Sequence, residues 1–513
     1  MSRPVGYRFL AEAATRAGVR VPSPLAPTRI DRVKAVLREP DGSTRIPPAV
    51  APRENASPVE HALFALRYEP LDLATLAAAM QSGVLAAADV HAACVRMPTG
   101  QFGRRLGYLY ETLTGVTVGE HVRPVPYVDL ADIDLQYTRT TPRESSTKWR
   151  LHDNALGNPG TFSPLVRRTE AVEKWLRRDI HAELEQFIAA HKDSGLLDRA
   201  VEWAYLSETE STFAIERDSP SGNRRARFLA LLRQAGVKKA LTEDDLCDLQ
   251  RAAVSNPFEQ ALSYRQEQNW LVSRHRRLTA GQITYLPPPP AALPELMEAL
   301  LAYVNEDDGT DSRLRGAVAS FGLVYFHPFM DGNGRVSRFL VHHILCRSGM
   351  TPDGLVLPVS VVMHEDERGY SQALNVFSRP VRELWDITVI DEGRIDAQFK
   401  GSLAAYRYPD LTEQTAYLGK CVAASLDQAL VEEANYLQLY DAVYKSLNEA
   451  HDIRGKTLAH LINGAMRNAG RVSNNLRKQY ALEVPAAAFD LVEARAQEVL
   501  ASSSQGSTAP RLT

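Results

Sequence analysis

The chain has 513 residues, 44% of them apolar and 24% charged, and its formal net charge is −3. This balance argues against nucleic acid as an obligatory partner, and no apolar stretch approaches the roughly 20 residues of a membrane span. The four cysteines are far apart and lack metal-ligand spacing. Together with a start that lacks the apolar region of a signal peptide, they predict a cytoplasmic protein with reduced thiols and several compact units.

Composition divides the chain into five segments and predicts a mainly α protein. Residues 1–60 are an irregular, proline-rich N-terminal segment, in which the turn signal Pro40-Asp41-Gly42 predicts a small hairpin. The other segments are an N-terminal helical and irregular unit (61–168), a helical core (169–403), a C-terminal helical unit (404–501) and a disordered tail (502–513). A basic stretch at 470–478 is more typical of a solvated helix face than of a DNA-binding helix.

A short extended stretch in the core is followed by a proline run. Its four β-prone residues are Ile283, Thr284, Tyr285 and Leu286. The prolines at 287–290 cannot continue a sheet, and a helix is predicted from about Leu293 to Tyr303. The stretch can be a loop that the prolines stiffen or an extended segment with a free edge, and both interpretations can hold together.

Two predicted helices enclose a glycine-containing loop. The first has an N-cap at Asp311 or Ser312, apolar residues at helical spacing, and an end at about Phe326, before a proline. The second begins near Arg335 and ends where Gly349 can cap it. The loop is therefore predicted to be held between two buried helices.

The loop and the start of the second helix carry charges that suit a phosphate. Arg335 and Arg338 lie in the first turn, where the helix macrodipole disfavours positive charge by roughly 0.3 to 1 kcal/mol each. An anion is therefore expected to compensate. The carboxylate of Asp331 would repel a phosphate unless a cation joined the two, which predicts that Asp331 binds Mg²⁺.

The other polar positions of the loop complete that site. Gly332 and Gly334 let backbone N–H groups approach phosphate oxygens without a Cβ in the way, and Asn333 can add a neutral donor. His327 titrates near neutrality and can take a proton from an attacking hydroxyl. A histidine beside a proline is more often a capping or core residue, and Gly-Asn-Gly alone is usually a turn. The conjunction of these positions favours a functional site.

The stretch from His327 to Arg338 resembles the signature of the Fic family, His-x-Phe-x-Asp/Glu-Gly-Asn-Gly-Arg-x-x-Arg, with every fixed position filled. The resemblance implies an all-helical core and transfer of AMP from ATP to a Ser, Thr or Tyr hydroxyl of a target protein, with release of pyrophosphate. His327 would be the base, and Asp331 would hold Mg²⁺ across the α- and β-phosphates. The remaining contacts would be an anion hole and two phosphate-binding arginines, formed by Gly332, Asn333, Gly334, Arg335 and, at the γ-phosphate, Arg338.

A stretch at residues 205–218 resembles the inhibitory motif of the family, Ser/Thr-x-x-x-Glu-Gly/Asn. Thr212 and Glu216 are four residues apart and would share one face of a helix. The resemblance implies that Glu216 pairs with Arg338 and prevents productive placement of the γ-phosphate. Arg217 stands where the family has Gly or Asn, which predicts that the helix ends later, at the following Ser-Pro-Ser-Gly. Without the resemblance, Glu216 can be an ordinary surface residue.

Two further features gain an interpretation from the resemblance. The extended stretch would be the flap, residues 281–287, which lies over the active site and whose edge pairs with an extended segment of the target by β-augmentation. Tyr370 lies in a segment similar to the helix that follows the signature in relatives, and it would face the adenine base. Packing in the core is an equally good interpretation of Tyr370.

Several competing functions are compatible with these features. The phosphate loop fixes a diphosphate better than it identifies a base, so transfer of another nucleotide, of phosphate or of phosphocholine is an alternative. Removal of AMP, with Glu216 positioning a water, is chemically possible. A regulatory scaffold without turnover is a further alternative. Self-modification and a homodimer are both compatible with the sequence.

Overall fold

The computed structural model describes residues 3–120, 124–192, 195–237, 240–272, 279–352, 355–391, 394–448, 453 and 455–506. The fold is mainly α, as predicted. The helices are α1 (Gly6–Arg16), α2 (Pro58–Tyr68), α3 (Leu73–Gln81), α4 (Ala87–Arg96), α5 (Gln101–Thr114), α6 (Glu170–Leu176), α7 (Ile180–His191), α8 (Leu196–Ile215), α9 (Gly222–Arg233), α10 (Glu243–Ala253), α11 (Leu293–Asn305), α12 (Ser312–Phe326), α13 (Asn333–Arg347), α14 (Val359–Glu365), α15 (Glu367–Arg382), α16 (Ala404–Arg407), α17 (Thr412–Ala424), α18 (Val431–Asn448), α19 (Gly455–Arg467), α20 (Asn474–Gln479) and α21 (Ala486–Gly506). The strands are β1 (Arg29–Ile30), β2 (Leu37–Arg38), β3 (Thr44–Ile46), β4 (Val128–Asp129), β5 (Glu144–Ser146), β6 (Leu151–Asp153), β7 (Leu271–Val272), β8 (Ile283–Tyr285), β9 (Trp385–Asp391) and β10 (Arg394–Phe399).

The chain forms two compact units, each built from three stretches of sequence. The first unit comprises Met1–Asp179, Thr212–Met350 and Glu365–Lys420. The second comprises Ile180–Ser211, Thr351–His364 and Cys421–Thr513. The signature, the flap and the residues Thr212 and Glu216 all belong to the first unit. The five-segment division drawn from composition remains a prediction.

Local sequence explains the N-terminal elements of the first unit. Helix α2 begins with a capping box between Ser57 and Glu60, with Pro58 as its first residue. Strands β2 and β3 pair antiparallel across a turn in which Gly42 has a φ of +80°. This confirms the predicted hairpin, to which β1 adds a parallel pairing with β3. Helices α1 to α5 enclose an apolar core that includes Leu10.

Helices α12 and α13 hold the signature loop between them. Asp311 caps α12 by accepting a hydrogen bond from the N–H of Arg313, and every residue of α12 is buried. After α13, Gly349 takes a φ of +73°. The predicted caps and ends of these two helices are confirmed, apart from a start of α13 at Asn333 instead of near Arg335. The loop is thus anchored at both ends by buried helices.

The second unit has its own apolar core, formed by α18, α19 and α21. In the basic stretch 470–478, Arg477 pairs with Asp490 at 3.0 Å and with Glu493 at 2.9 Å. Helix α21 reaches Gly506, inside the segment 502–513 that was predicted to be disordered, and residues 507–513 lie outside the described ones. None of the described helices is both long and apolar enough to cross a membrane.

Candidate active site

His327 ends helix α12 and is prepared to accept a proton. Its φ of +48° is left-handed, and its backbone N–H donates to the carbonyl of Leu323 at 2.9 Å. Nδ1 lies 3.2 Å from the carbonyl oxygen of Val324, which assigns the ring proton to Nδ1 and leaves Nε2 as the acceptor. Burial lowers the pKa of His327 to about 4. The imidazole is therefore neutral near pH 7, the state that a general base requires.

The side chain of Asn333 closes the loop on itself. Its Oδ1 accepts from the N–H of Phe329 at 2.9 Å, and its Nδ2 donates to the carbonyl of Phe329 at 2.8 Å. Nδ2 carries two N–H groups, and the bond to Phe329 uses one of them, so the role of this side chain as a donor to an anion stays a prediction. Asn333 is the first residue of α13, and from there its side chain reaches back to the loop.

A neighbouring segment fastens the loop from outside. The backbone N–H of Arg265 donates to the carbonyl of Pro328 at 2.8 Å, and its Nε donates to the carbonyl of His327 at 2.9 Å. Asn269 donates to the carbonyl of Phe329 at 3.1 Å. Phe329 is 1% exposed and anchors the loop in the core. These bonds make the loop a preorganised element.

The carboxylate of Glu216 lies against the first turn of α13. Gly332 precedes the helix with a φ of +88°, a backbone conformation that residues other than glycine rarely adopt. A Cβ at Gly334 would overlap Oε1 of Glu216. The carboxylate of Glu216 thus lies at the positive end of the helix macrodipole, where a phosphate would otherwise be attracted.

Arg338 is 1% exposed and contacts both residues predicted to be inhibitory. Its Nε donates to Oγ1 of Thr212 at 2.6 Å, and its Nη2 donates to the carbonyl of Thr212 at 2.9 Å and to Oε1 of Glu216 at 2.8 Å. Burial of Glu216 opposes its ionisation, but the positive charge of Arg338 outweighs this effect and the pKa of Glu216 is lowered. The pair is therefore ionised at neutral pH.

The end of helix α8 corrects one prediction. The helix ends at Ile215 and does not continue to the Ser-Pro-Ser-Gly sequence, because Arg217 takes a left-handed φ of +56°. The N–H of Arg217 donates to the carbonyl of Ala214 at 2.8 Å, and the N–H of Asp218 donates to that of Phe213 at 3.1 Å. These two bonds form a Schellman motif, which normally has glycine at the left-handed position. Arginine adopts the same geometry here at a cost of roughly 1 to 2 kcal/mol.

Asp218, which the sequence did not single out, engages the other arginine of the signature. Its Oδ2 lies 2.6 Å from Nη1 of Arg335, and its Oδ1 lies 2.7 Å from Nη2 of Arg224. Arg335 also donates to the carbonyl of Ala253 at 2.9 Å and to Oδ1 of Asp331 at 2.9 Å. The stretch Thr212–Asp218, hereafter the 212–218 segment, therefore contacts both signature arginines.

Asp331 has the exposure that a ligand to an incoming ion needs. Its side chain is 45% exposed, and one of its oxygens accepts from the N–H of Gly332 at 2.6 Å and from Arg335. Its carbonyl accepts from Nε2 of Gln250 at 3.1 Å. Mg²⁺ in nucleotide sites is commonly held by one or two carboxylates with phosphates and water, and this residue fits that role. No group of three or more His, Cys, Asp or Glu side chains within the described ranges could hold a metal ion.

The predicted flap is an extended segment whose side chains mostly point inward. Strand β8 pairs antiparallel with β7. Ile283, Tyr285 and Leu286 are between 0% and 3% exposed, whereas Thr284 is exposed. These three side chains are therefore packing residues and cannot be presented to a target. Contact with a target stays a prediction, and it would involve the backbone, Thr284 and the exposed strand β7.

Tyr370 lies among aromatic rings. It is half-buried, and its ring centroid lies 6.3 Å from that of Phe321 and 6.1 Å from that of Tyr417. These contacts are those of a packing residue. A role for Tyr370 in binding a nucleotide base stays a prediction.

Two contributors to the site were missed for different reasons. Asp218 follows directly on the predicted inhibitory motif, so the wrong helix end concealed its approach to Arg335. Gln250 is buried in α10 and binds the carbonyls of Glu259 and Asp331 at 2.8 and 3.1 Å. A single glutamine on an amphipathic helix carries no sequence signal of this kind, because its partners are remote in the chain.

Comparisons with known proteins agree with the signature. Residues 240–345 match the Fic/DOC family. The protein adenylyltransferase Fic of Drosophila ananassae is 27% identical over 221 residues, which are 39% of this chain and 43% of that protein. The protein adenylyltransferase fic-1 of Caenorhabditis briggsae is 26% identical over 283 residues, which are 48% of this chain and 53% of that protein. The chain thus spans about half the length of the curated relatives it matches.

Solved Fic structures match with low scores. A Fic family protein from Desulfovibrio desulfuricans has a TM-score of 0.37 at 17% identity, covering 63% of this chain and 97% of that one. The Fic-1 fragment of Caenorhabditis elegans has a TM-score of 0.33 at 22% identity, covering 51% of this chain and 71% of that one. The matched region contains the flap and the complete signature, whereas Glu216 lies before it. The match of residues 240–345 shows that the chain carries a domain of the Fic/DOC family.

Proposed function

We propose that the protein is an autoinhibited adenylyltransferase that transfers AMP from ATP to a Ser, Thr or Tyr hydroxyl of a target protein and releases pyrophosphate. The observation that carries the proposal is a neutral, half-buried His327 at the start of a loop whose following helix start is shaped for an anion. The complete signature and the names of the curated relatives support the same reaction.

In this reaction, Nε2 of His327 accepts the proton of the target hydroxyl, and the hydroxyl oxygen forms a bond to the α-phosphorus. The bond between that phosphorus and the bridging oxygen breaks, and pyrophosphate leaves with the electron pair. A neutral imidazole suits this step, since it holds no proton on the nitrogen that must accept one.

Phosphate binding would use the start of α13. The backbone N–H groups of Asn333 and Gly334 would supply the anion hole, joined by that of Gly332 once it is released from Asp331, and Arg335 and Arg338 would neutralise phosphate charge. Asp331 would hold Mg²⁺, which when bound offsets the negative charge of the phosphates.

The contacts that these phosphate-binding groups make in the structure support autoinhibition. Arg338 is occupied by Thr212 and Glu216, and the Glu216 carboxylate lies against Gly334, where a phosphate oxygen would compete with it. Asp218 adds a second carboxylate, on Arg335. Productive ATP binding would therefore require the 212–218 segment to release at least Arg338.

The transferred group and its acceptor are tested by two labelled forms of ATP. The Glu216→Gly protein is incubated with Mg²⁺, cell lysate and ATP labelled at either the α- or the γ-phosphate, and labelled proteins are analysed by mass spectrometry. We expect α-label only, a mass increase of one AMP on a hydroxyl side chain, and a loss of roughly 10² to 10⁴-fold when His327→Ala is added. Self-modification would appear in the same experiment.

Three outcomes would replace the proposal by an alternative. Transfer of the γ-label would identify a phosphate transferase. Release of label from pre-modified protein only when Glu216 is present would identify the reverse reaction. ATP binding without any transfer in the Glu216→Gly protein would identify a regulatory scaffold.

A further inference from the structure

A polar recess lies beside the 212–218 segment. It has a volume of about 460 Å³ and is lined by residues around the start of α9 and the end of α10. Its charged lining residues are Asp218, Arg224, Arg227 and Arg251. Three positive charges therefore face one negative charge, which favours an anionic ligand.

The arginines of the recess differ in how far they are already paired. Arg224 pairs with Asp218 at 2.7 Å, and Arg251 pairs with Asp248 and donates to the carbonyl of Ala261. Arg227 is exposed and has no ion pair among the residues that the structure describes. At least one full positive charge of the recess is thus available to a ligand.

Arg224 supplies a second, independent indication. It is only 8% exposed, yet its Nε and Nη1 atoms are buried without a hydrogen-bond partner. A buried donor without a partner costs roughly 1 to 3 kcal/mol, and more when the group is charged. A ligand with several acceptor oxygens that took the place of Asp218 on Arg224 would remove that penalty, because a guanidinium binds phosphate through two parallel N–H bonds.

The start of helix α9 adds to the same field. The helix has 12 residues, its N-cap Ser221 also lines the recess, and no acidic residue lies in its first turn. Free backbone N–H groups and the macrodipole of a helix N-terminus both favour a bound anion. The buried arginine, the exposed arginine and the helix start therefore converge on one place.

We propose that this recess binds a small phosphate anion, either inorganic phosphate or pyrophosphate. The lining of the recess includes no residue of the signature, and Asp218 joins the two sites because its two oxygens hold Arg224 and Arg335. A phosphate in the recess would compete with Asp218 for Arg224, so that occupancy of the recess is coupled to the pair on Arg335. The proposal stands whether or not the protein transfers AMP.

Calorimetric titration of the full chain with inorganic pyrophosphate and with inorganic phosphate, without ATP or Mg²⁺, tests the proposal. Arg227→Glu reverses the exposed charge and is expected to weaken binding by at least about tenfold, because charge-assisted bonds to phosphate are strong. Arg227→Gln should show a smaller loss in the same direction. Arg225→Glu is the matched control, since Arg225 is the neighbour on α9 that does not line the recess. Arg338→Gln marks binding at the signature and should leave the recess affinity unchanged.

Each result bears on the proposal. A loss in both Arg227 variants, with affinity retained in Arg225→Glu and Arg338→Gln, supports it. Equal affinity in Arg227→Glu, an equal loss in Arg225→Glu, a loss only in Arg338→Gln, or no binding at millimolar pyrophosphate would overturn it. Equal affinity in Arg227→Glu or an equal loss in Arg225→Glu would identify an adventitious ion only. A loss only in Arg338→Gln would assign all binding to the signature.

Discussion

The 212–218 segment and the flap both belong to the surroundings of the signature, but they are held by different forces. The 212–218 segment contacts the signature through charged and polar groups on Arg335 and Arg338. The flap is held by buried apolar side chains and by a hydrogen bond from the Tyr285 hydroxyl to the carbonyl of Tyr325. Charged contacts can be exchanged for contacts to a charged ligand, whereas buried apolar packing has no such substitute. Changes in the first region should therefore alter activity, and changes in the second should alter stability.

The largest expected effect is on the flap. Leu286 is 0% exposed, and Leu286→Ala should lower the free energy of unfolding by about 2 to 5 kcal/mol, because it removes a buried side chain and leaves a cavity. Thr284→Ala, at an exposed position of the flap, is the matched control and should change the free energy of unfolding by less than about 0.5 kcal/mol. Denaturant unfolding measures both. Equal effects of the two substitutions would contradict the account that inward-pointing apolar side chains hold the flap.

The next effect concerns how the labelling rate depends on pH through the protonation of His327. Its pKa is lowered from 6.5 to about 4, so the neutral form that acts as a base persists as the pH falls below 6.5. Labelling by Glu216→Gly should therefore fall only as the pH approaches 4. A histidine with an ordinary pKa would lose roughly thirtyfold in neutral fraction by pH 5. A decline in the labelling rate centred near pH 6.5 would contradict the lowered pKa of His327.

Both helices that hold the loop could be predicted from the sequence, because Asp311, Gly349 and the helical spacing of apolar residues are local signals. The roles of Asn333 and Asp218 could not. Asn333 binds its own loop, and Asp218 binds an arginine 117 residues away. The residues next to them in the sequence carry no signal for either contact. The left-handed Arg217 was missed because arginine is rarely found in that conformation, and tertiary contacts override the local preference.

A smaller effect is expected at Asp218. Asp218→Asn removes the carboxylate from Nη1 of Arg335 and should raise labelling a few-fold, since phosphate then competes with a weaker neutral contact of roughly 1 kcal/mol. The exposed Asp244→Asn in α10 is the control for loss of one negative charge. Measurement of α-label transfer at fixed ATP compares them. A fall in labelling would instead make Asp218 a positioning residue for Arg335.

The smallest effect is expected at Arg217. Arg217→Gly relieves the left-handed conformation, and it should raise the free energy of unfolding by roughly 0.4 to 1 kcal/mol and lower the residual labelling of the wild type. Arg217→Ala removes the same side chain without relieving the strain and is the control. Thermal unfolding measures the change in stability, and the labelling assay measures the change in residual activity. An equal gain from alanine would show that the backbone conformation is not the cause.

The central claim is that Glu216 keeps the signature from binding ATP productively, and the rate of α-label transfer at saturating ATP tests it most directly. The wild type, Glu216→Gly and Glu216→Gln are compared, with Glu210→Gly as a control for replacing a nearby exposed glutamate by glycine. Loss of a charge-assisted contact predicts a rise of at least about tenfold for Glu216→Gly and a smaller rise for Glu216→Gln, with no change in the control. Equal rates in the wild type and Glu216→Gly would contradict the account.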